Sequence, residues 1–110
     1  MALRERRIAE RLVELRRYFP PRSEAEYRAA LQGLNRILTR APETTRAMGL
    51  KAYALVFGWL ESWTAPGVTL SGTALLREAL RIARRGVALA PHDYDGYWAL
   101  GFVLLHSQRW

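Results

Sequence analysis

Apolar residues recur every three or four positions along most of this chain, and prolines and glycines fall between the runs. Leu3, Ile8, Leu12, Leu15 and Phe19 lie near one stripe with arginines and glutamates between them, which is the pattern of an amphipathic helix over residues 2–18. Pro20 and Pro21 follow; proline lacks an N–H and clashes with the preceding turn, so the helix stops there. Ser23 and Glu26 have the spacing of a capping box. Behind them Tyr27, Ala30, Leu31, Leu34, Ile37 and Leu38 form the apolar face of a second helix over 23–40, which Pro42 ends. Thr44 or Thr45 opens a third helix over 44–63, apolar nearly all round and therefore central. Residues 64–72 form the one stretch of loop composition. A fourth helix runs over 73–89, capped by Ser71 or Thr73 and closed by Pro91, and Asp93 or Asp95 caps a fifth over 94–108. Nothing alternates with period two for long enough to make a strand. The pattern predicts one all-α domain over 1–110, an antiparallel helix-turn-helix array of about five helices.

The segment from Glu78 to Trp110 carries a more specific pattern. Ala79, Ala83 and Pro91 are spaced as on the second helix of a helical-repeat pair, and Tyr97, Leu100, Gly101 and Leu104 as on the first. This segment resembles a tetratricopeptide repeat, a family of helix pairs that stack into a superhelix. The same landmarks recur inside the chain: Pro42 and Pro91, Ala30 and Ala79, and Ala52 and Gly101 all stand 49 residues apart. The family period is about 34, so the unit here carries an insertion, placed in the long third helix and the 66–72 loop. The likeness is good over 78–110, fair over 26–55 and poor over 1–23. Pro21 falls where a first helix should still be running, and Lys51 stands where Leu100 stands in the later copy. The resemblance implies close helix approach at Ala52, Ala79 and Gly101, with Tyr97, Leu100, Gly101 and Leu104 on the core face of the fifth helix. It also implies a binding function without catalysis.

Bulk composition narrows the classes further. At 110 residues, half of them hydrophobic and a quarter charged, the chain can bury a single core. The absence of cysteine excludes disulfides and thiolate metal sites. No apolar run follows Met1–Arg7, so no secretory signal is read, and the longest nearly apolar run, residues 47–60, is too short to span a bilayer. The expectation is a cytoplasmic protein with no membrane partner. The net charge is +7, with +5 of it in residues 1–50 (eleven Arg against six Glu). Glutamates interleave with the arginines, which favours solvated helix faces. The excess of sixteen Arg over one Lys reads as compositional bias.

Little in the sequence suggests chemistry. His92, Asp93, Tyr94 and Asp95 follow Pro91 and read as helix capping rather than as an acid/base or metal cluster. Residues 67–73 have the glycine spacing of a phosphate loop but lack its lysine and its preceding strand. The serines have no nucleophile-elbow context. No enzyme, cofactor or metal is expected.

Two surfaces remain as candidates. In a repeat array the first helix of each pair lines a concave groove. Trp98, Phe102, Leu105 and Arg109 form such a stripe on the fifth helix; Gly49, Tyr53 and Val56, with Phe57 alongside, form it on the third. The expected contact for a protein or peptide partner, or for a second copy, is Tyr53, Phe57, Trp98, Phe102, Leu105 and Trp110. The groove lacks the lysines and asparagines that repeat domains use to grip acidic chaperone tails. The other surface is basic. Arg77, Arg81, Arg84 and Arg85 share one side of the fourth helix, and Arg4, Arg7 and Arg11 one side of the first, a pattern open to nucleic-acid phosphates. The main expectation is a protein-interaction or self-assembly module, either a piece of a longer repeat protein or a homo-oligomer, because the fifth helix has no wide polar face.

Overall fold

The computed structural model describes residues 3–64 and 72–107. Five helices account for nearly all of them: α1 Leu3–Arg16, α2 Glu24–Arg40, α3 Thr45–Glu61, α4 Thr73–Leu89 and α5 Tyr94–Ser107. These lie within a few residues of the ranges expected from the pattern. The all-α helical array is therefore the fold. The 66–72 loop falls almost wholly outside the described residues; only Gly72 lies within them.

Local chemistry sets the helix ends. The Ser23 hydroxyl accepts the Glu26 N–H at 3.1 Å, and the Glu26 carboxylate reaches back to the Arg22 N–H at 2.9 Å. The capping pair thus works, with the carboxylate landing one residue earlier than in the usual box. Asp93, not Asp95, caps α5: its carboxylate accepts the Asp95 N–H at 3.0 Å. Thr44 precedes α3 but makes no side-chain cap; its hydroxyl turns back to the Ala41 carbonyl. At α4 Thr73 is the first helical residue rather than the cap, and Ser71 lies outside the described residues. Gly72 takes that place at φ 56°, where a side chain would be strained. Ser62 ends α3 in the left-handed region, and the Trp63 N–H closes on the Gly58 carbonyl at 2.8 Å.

Consecutive helices run antiparallel. Tyr27 at the start of α2 meets Gly58 near the end of α3, and Met48 at the start of α3 meets Gly86 near the end of α4. Helices α3 and α5 run side by side in the same direction, their second turns close at Gly49 and Ala99. The main core gathers Tyr27 and Leu31 of α2, Met48, Ala52, Leu55 and Val56 of α3, Leu75, Leu76, Ala79, Ile82 and Ala83 of α4, and Val103 of α5. A second cluster of Leu12, Leu15, Leu34, Ile37 and Ala47 fastens α1 to α2 and α3. Helix α3 is central, as its composition implied.

The small residues divide. Ala52 and Ala79 are fully buried and allow close helix approach. Gly101 is exposed, and a Cβ there would meet nothing within 4 Å. Tyr97 is 49% exposed. The expected core face of α5 is therefore wrong: Gly96, Ala99 and Val103 face inward, and Tyr97 and Gly101 face out, with Leu100 and Leu104 half-buried between. Val56, assigned to the groove, is instead wholly buried in the core. Since glycine in an open helix interior costs about 0.5–1 kcal/mol relative to alanine, Gly101→Ala is expected to raise stability by about that amount. Overpacking at that site would lower the thermal midpoint instead.

Burial also sets one titration. Enclosure pushes the Tyr27 hydroxyl up to about 12, while an unfolded tyrosine ionises near about 10. Stability is kept below pH about 10 and is lost as pH rises toward about 12, because only the unfolded chain gains by ionising. Tyr27→Phe is expected to lose less stability across that window, as read by urea unfolding at the two ends.

Candidate functional site

An aromatic cluster joins α3, α5 and the turn after α1. Tyr53, one turn beyond Gly49 on α3, lies at its centre. Its ring lies 5.6 Å from Phe19, 5.2 Å from Phe57, 5.1 Å from Trp98 and 4.7 Å from Phe102. Trp98 stacks on Phe102 at 5.6 Å with planes 4° apart. Edge and stacked aromatic pairs contribute roughly 0.5–1.5 kcal/mol each beyond their area. His106 extends it: the ring sits 4.6 Å from Phe102, and Nδ1–H donates to the Phe102 carbonyl at 2.9 Å.

Beside the cluster lies a cleft of about 430 Å³. Leu12, Phe19, Leu50, Tyr53 and Trp98 supply its apolar lining, and Arg16, Arg46 and Asp95 its charged lining. Desolvation raises the Tyr53 hydroxyl above its ordinary range, so it stays a neutral donor. The cleft can hold an apolar or aromatic side chain, with guanidinium groups beside it for an acidic neighbour.

Four of the residues expected at a contact, Tyr53, Phe57, Trp98 and Phe102, are brought together here. Leu105 stands apart at 54% exposed, and Trp110 and Arg109 lie outside the described residues. Sequence reading missed Phe19, Arg16 and Arg46. They come from α1, from the turn after it and from the start of α3, and only the chain reversal at Pro20 and Pro21 joins them; the Phe19–Pro20 peptide is cis.

Trp98 joins the cleft to a second surface. It is 45% exposed, and beside it on α5 stand Tyr94 at 77%, Tyr97 and Leu105, with Gly101 among them. Apart from Gly101 this is one uncharged stripe of large side chains. It corresponds, in the 49-residue register, to a buried face of α3. Met48, Ala52 and Leu55 match Tyr97, Gly101 and Leu104, and they are buried with the residues of α4 in the main core. The face that α3 uses to receive a helix is thus presented outward by α5.

The basic face of α4 is plain. Arg77, Arg81, Arg84 and Arg85 are exposed. Arg81 donates to Glu78 at 3.0 Å, and this bond holds the Glu78 carboxyl below its usual range. Lys51 is half-buried near the same carboxylate, and desolvation lowers its pKa. With Arg81 exposed to solvent, a pair of this kind contributes little. Among the described residues no three His, Asp or Glu converge on a metal site, and no helix is long and apolar enough to cross a membrane. The chain matches no family model, no curated protein and no solved structure.

Proposed function

We propose that the chain is a tetratricopeptide-like, non-catalytic protein-interaction module that binds a partner segment in the aromatic cleft and self-associates through α5. The observation that carries this reading is the uncharged surface running from the cleft through Trp98 to Tyr94, Tyr97 and Leu105. Soluble monomers rarely leave large contiguous apolar patches open. The repeat type is supported by the antiparallel pairs, by the parallel course of α3 and α5, and by the 49-residue register. Trp98 is the anchor, since exposed tryptophans at the rim of a preformed pocket dominate protein contacts. Two copies meeting at α5 would bring no charge against like charge across these side chains, and Gly101 lets the two helix axes approach closely.

Selection from a displayed random-peptide library tests the cleft. Peptides pairing an apolar or aromatic residue with an acid are expected, binding the Trp98→Ala chain at least about tenfold more weakly. Equal binding to both chains would remove the cleft from the account.

A further inference from the structure

A second cleft, of about 720 Å³, opens between α1 and α2, and its charge is one-sided. Arg4, Arg7 and Arg11 line it from α1, and Arg36 and Arg40 from α2, over an apolar base that includes Leu3, Ile8 and Ile37. No carboxylate lines it. The acids Glu5 and Glu43 line the neighbouring cleft on the other side of α1. Two of the five guanidiniums are engaged: Arg11 pairs with Glu14 at 2.8 Å, and Arg4 donates to the Arg40 carbonyl at the end of α2. The side chains of Arg7, Arg36 and Arg40 make no hydrogen bond or ion pair among the described residues.

This arrangement is electrostatically unfavourable by itself. Arg7 and Arg11, and Arg36 and Arg40, are like charges at i, i+4, a spacing that destabilises a helix, and the two rows share one cleft. Fixed cations held together this way create a field that an anion relieves. With Glu14 subtracted from five arginines the cleft carries about four uncompensated positive charges. Guanidinium groups match phosphate oxygens in pairs. No aromatic side chain lines the cleft, so nothing is present to stack the bases of a single strand. We propose that the α1–α2 cleft binds a compact ligand carrying several linked phosphates, a free polyphosphate or the phosphate chain of a nucleotide. The site is independent of the aromatic cleft.

Calorimetric titration of the full chain with inorganic tripolyphosphate at about 0.15 M ionic strength tests this. The expected result is saturable one-to-one binding that also raises the thermal midpoint. The variant Arg7→Gln with Arg36→Gln is expected to bind at least about tenfold more weakly. Both side chains are exposed, so circular dichroism should show an intact fold. The control Arg77→Gln with Arg84→Gln on α4 is expected to bind within about twofold of the parent. Adenosine triphosphate in a parallel titration separates the sources: tighter binding than tripolyphosphate assigns a nucleotide, and equal or weaker binding a free phosphate chain. Absence of saturable binding, or equal weakening by both arginine pairs, would overturn the proposal. Tighter binding of a thymidine oligonucleotide would overturn it in favour of a nucleic-acid strand.

Discussion

Gly58→Val is expected to cost about 3 kcal/mol or more and to lower the thermal midpoint by roughly 10–20 °C. A Cβ at Gly58 would point into the Tyr27 ring, 2.7 Å from Cζ and closer still to the hydroxyl oxygen. That ring has nowhere to go: Tyr27 is fully buried, with the Trp63 ring 5.1 Å away. The milder Gly58→Ala gains up to about 1 kcal/mol in helix propensity and still has to displace the phenol. The hydroxyl itself is buried with no hydrogen-bond partner among the described residues, so Tyr27→Phe alone should be neutral or stabilising. Combined with Gly58→Ala, Tyr27→Phe should recover part of the loss. Additive effects in that double-mutant cycle would show that the two positions do not meet.

The second large effect concerns assembly. Tyr97→Glu with Leu105→Glu is expected to weaken self-association by more than roughly 100-fold, because each substitution places a carboxylate in the centre of an apolar contact. Both residues are about half exposed in the single chain, so the helical spectrum should change little, and the thermal midpoint should match the parent's once both are dilute enough to be monomeric. Arg81→Glu with Arg84→Glu, on the far side of α4, should leave association as it is. If the α5 and α4 substitutions acted alike, net charge rather than the α5 face would govern association.

What the sequence reveals about this fold follows from contrast along each helix. Helix α2 alternates apolar and charged residues cleanly, and its buried face, Tyr27 through Ile37, was legible; so were the Ser23–Glu26 cap and the proline breaks. Helices α3 and α5 are apolar nearly all round. A helix without a polar side gives periodicity no phase, so Val56 and Gly101 were assigned to the wrong faces. Gly101 also stands at the position of a landmark of the resembling repeat family, and in this chain that position is exposed. The close approaches that decide packing, Gly58 on Tyr27 and Gly33 on Leu15, join residues far apart in sequence, and no local signal reports them. The candidate cleft was half legible. Its α3 and α5 aromatics share helical stripes, whereas Phe19, Arg16 and Arg46 arrive through a chain reversal. The basic cleft was hidden for the same reason, since Arg36 and Arg40 meet the α1 arginines only after α1 folds back along α2.

Sedimentation equilibrium of the unsubstituted chain across the micromolar range tests the central claim most directly. The α5 surface as a protein contact predicts a concentration-dependent mass rising from that of one chain toward two, with Tyr97→Glu and Leu105→Glu restoring the single-chain mass. A clean 12.6 kDa monomer throughout that range, without aggregation, would contradict it.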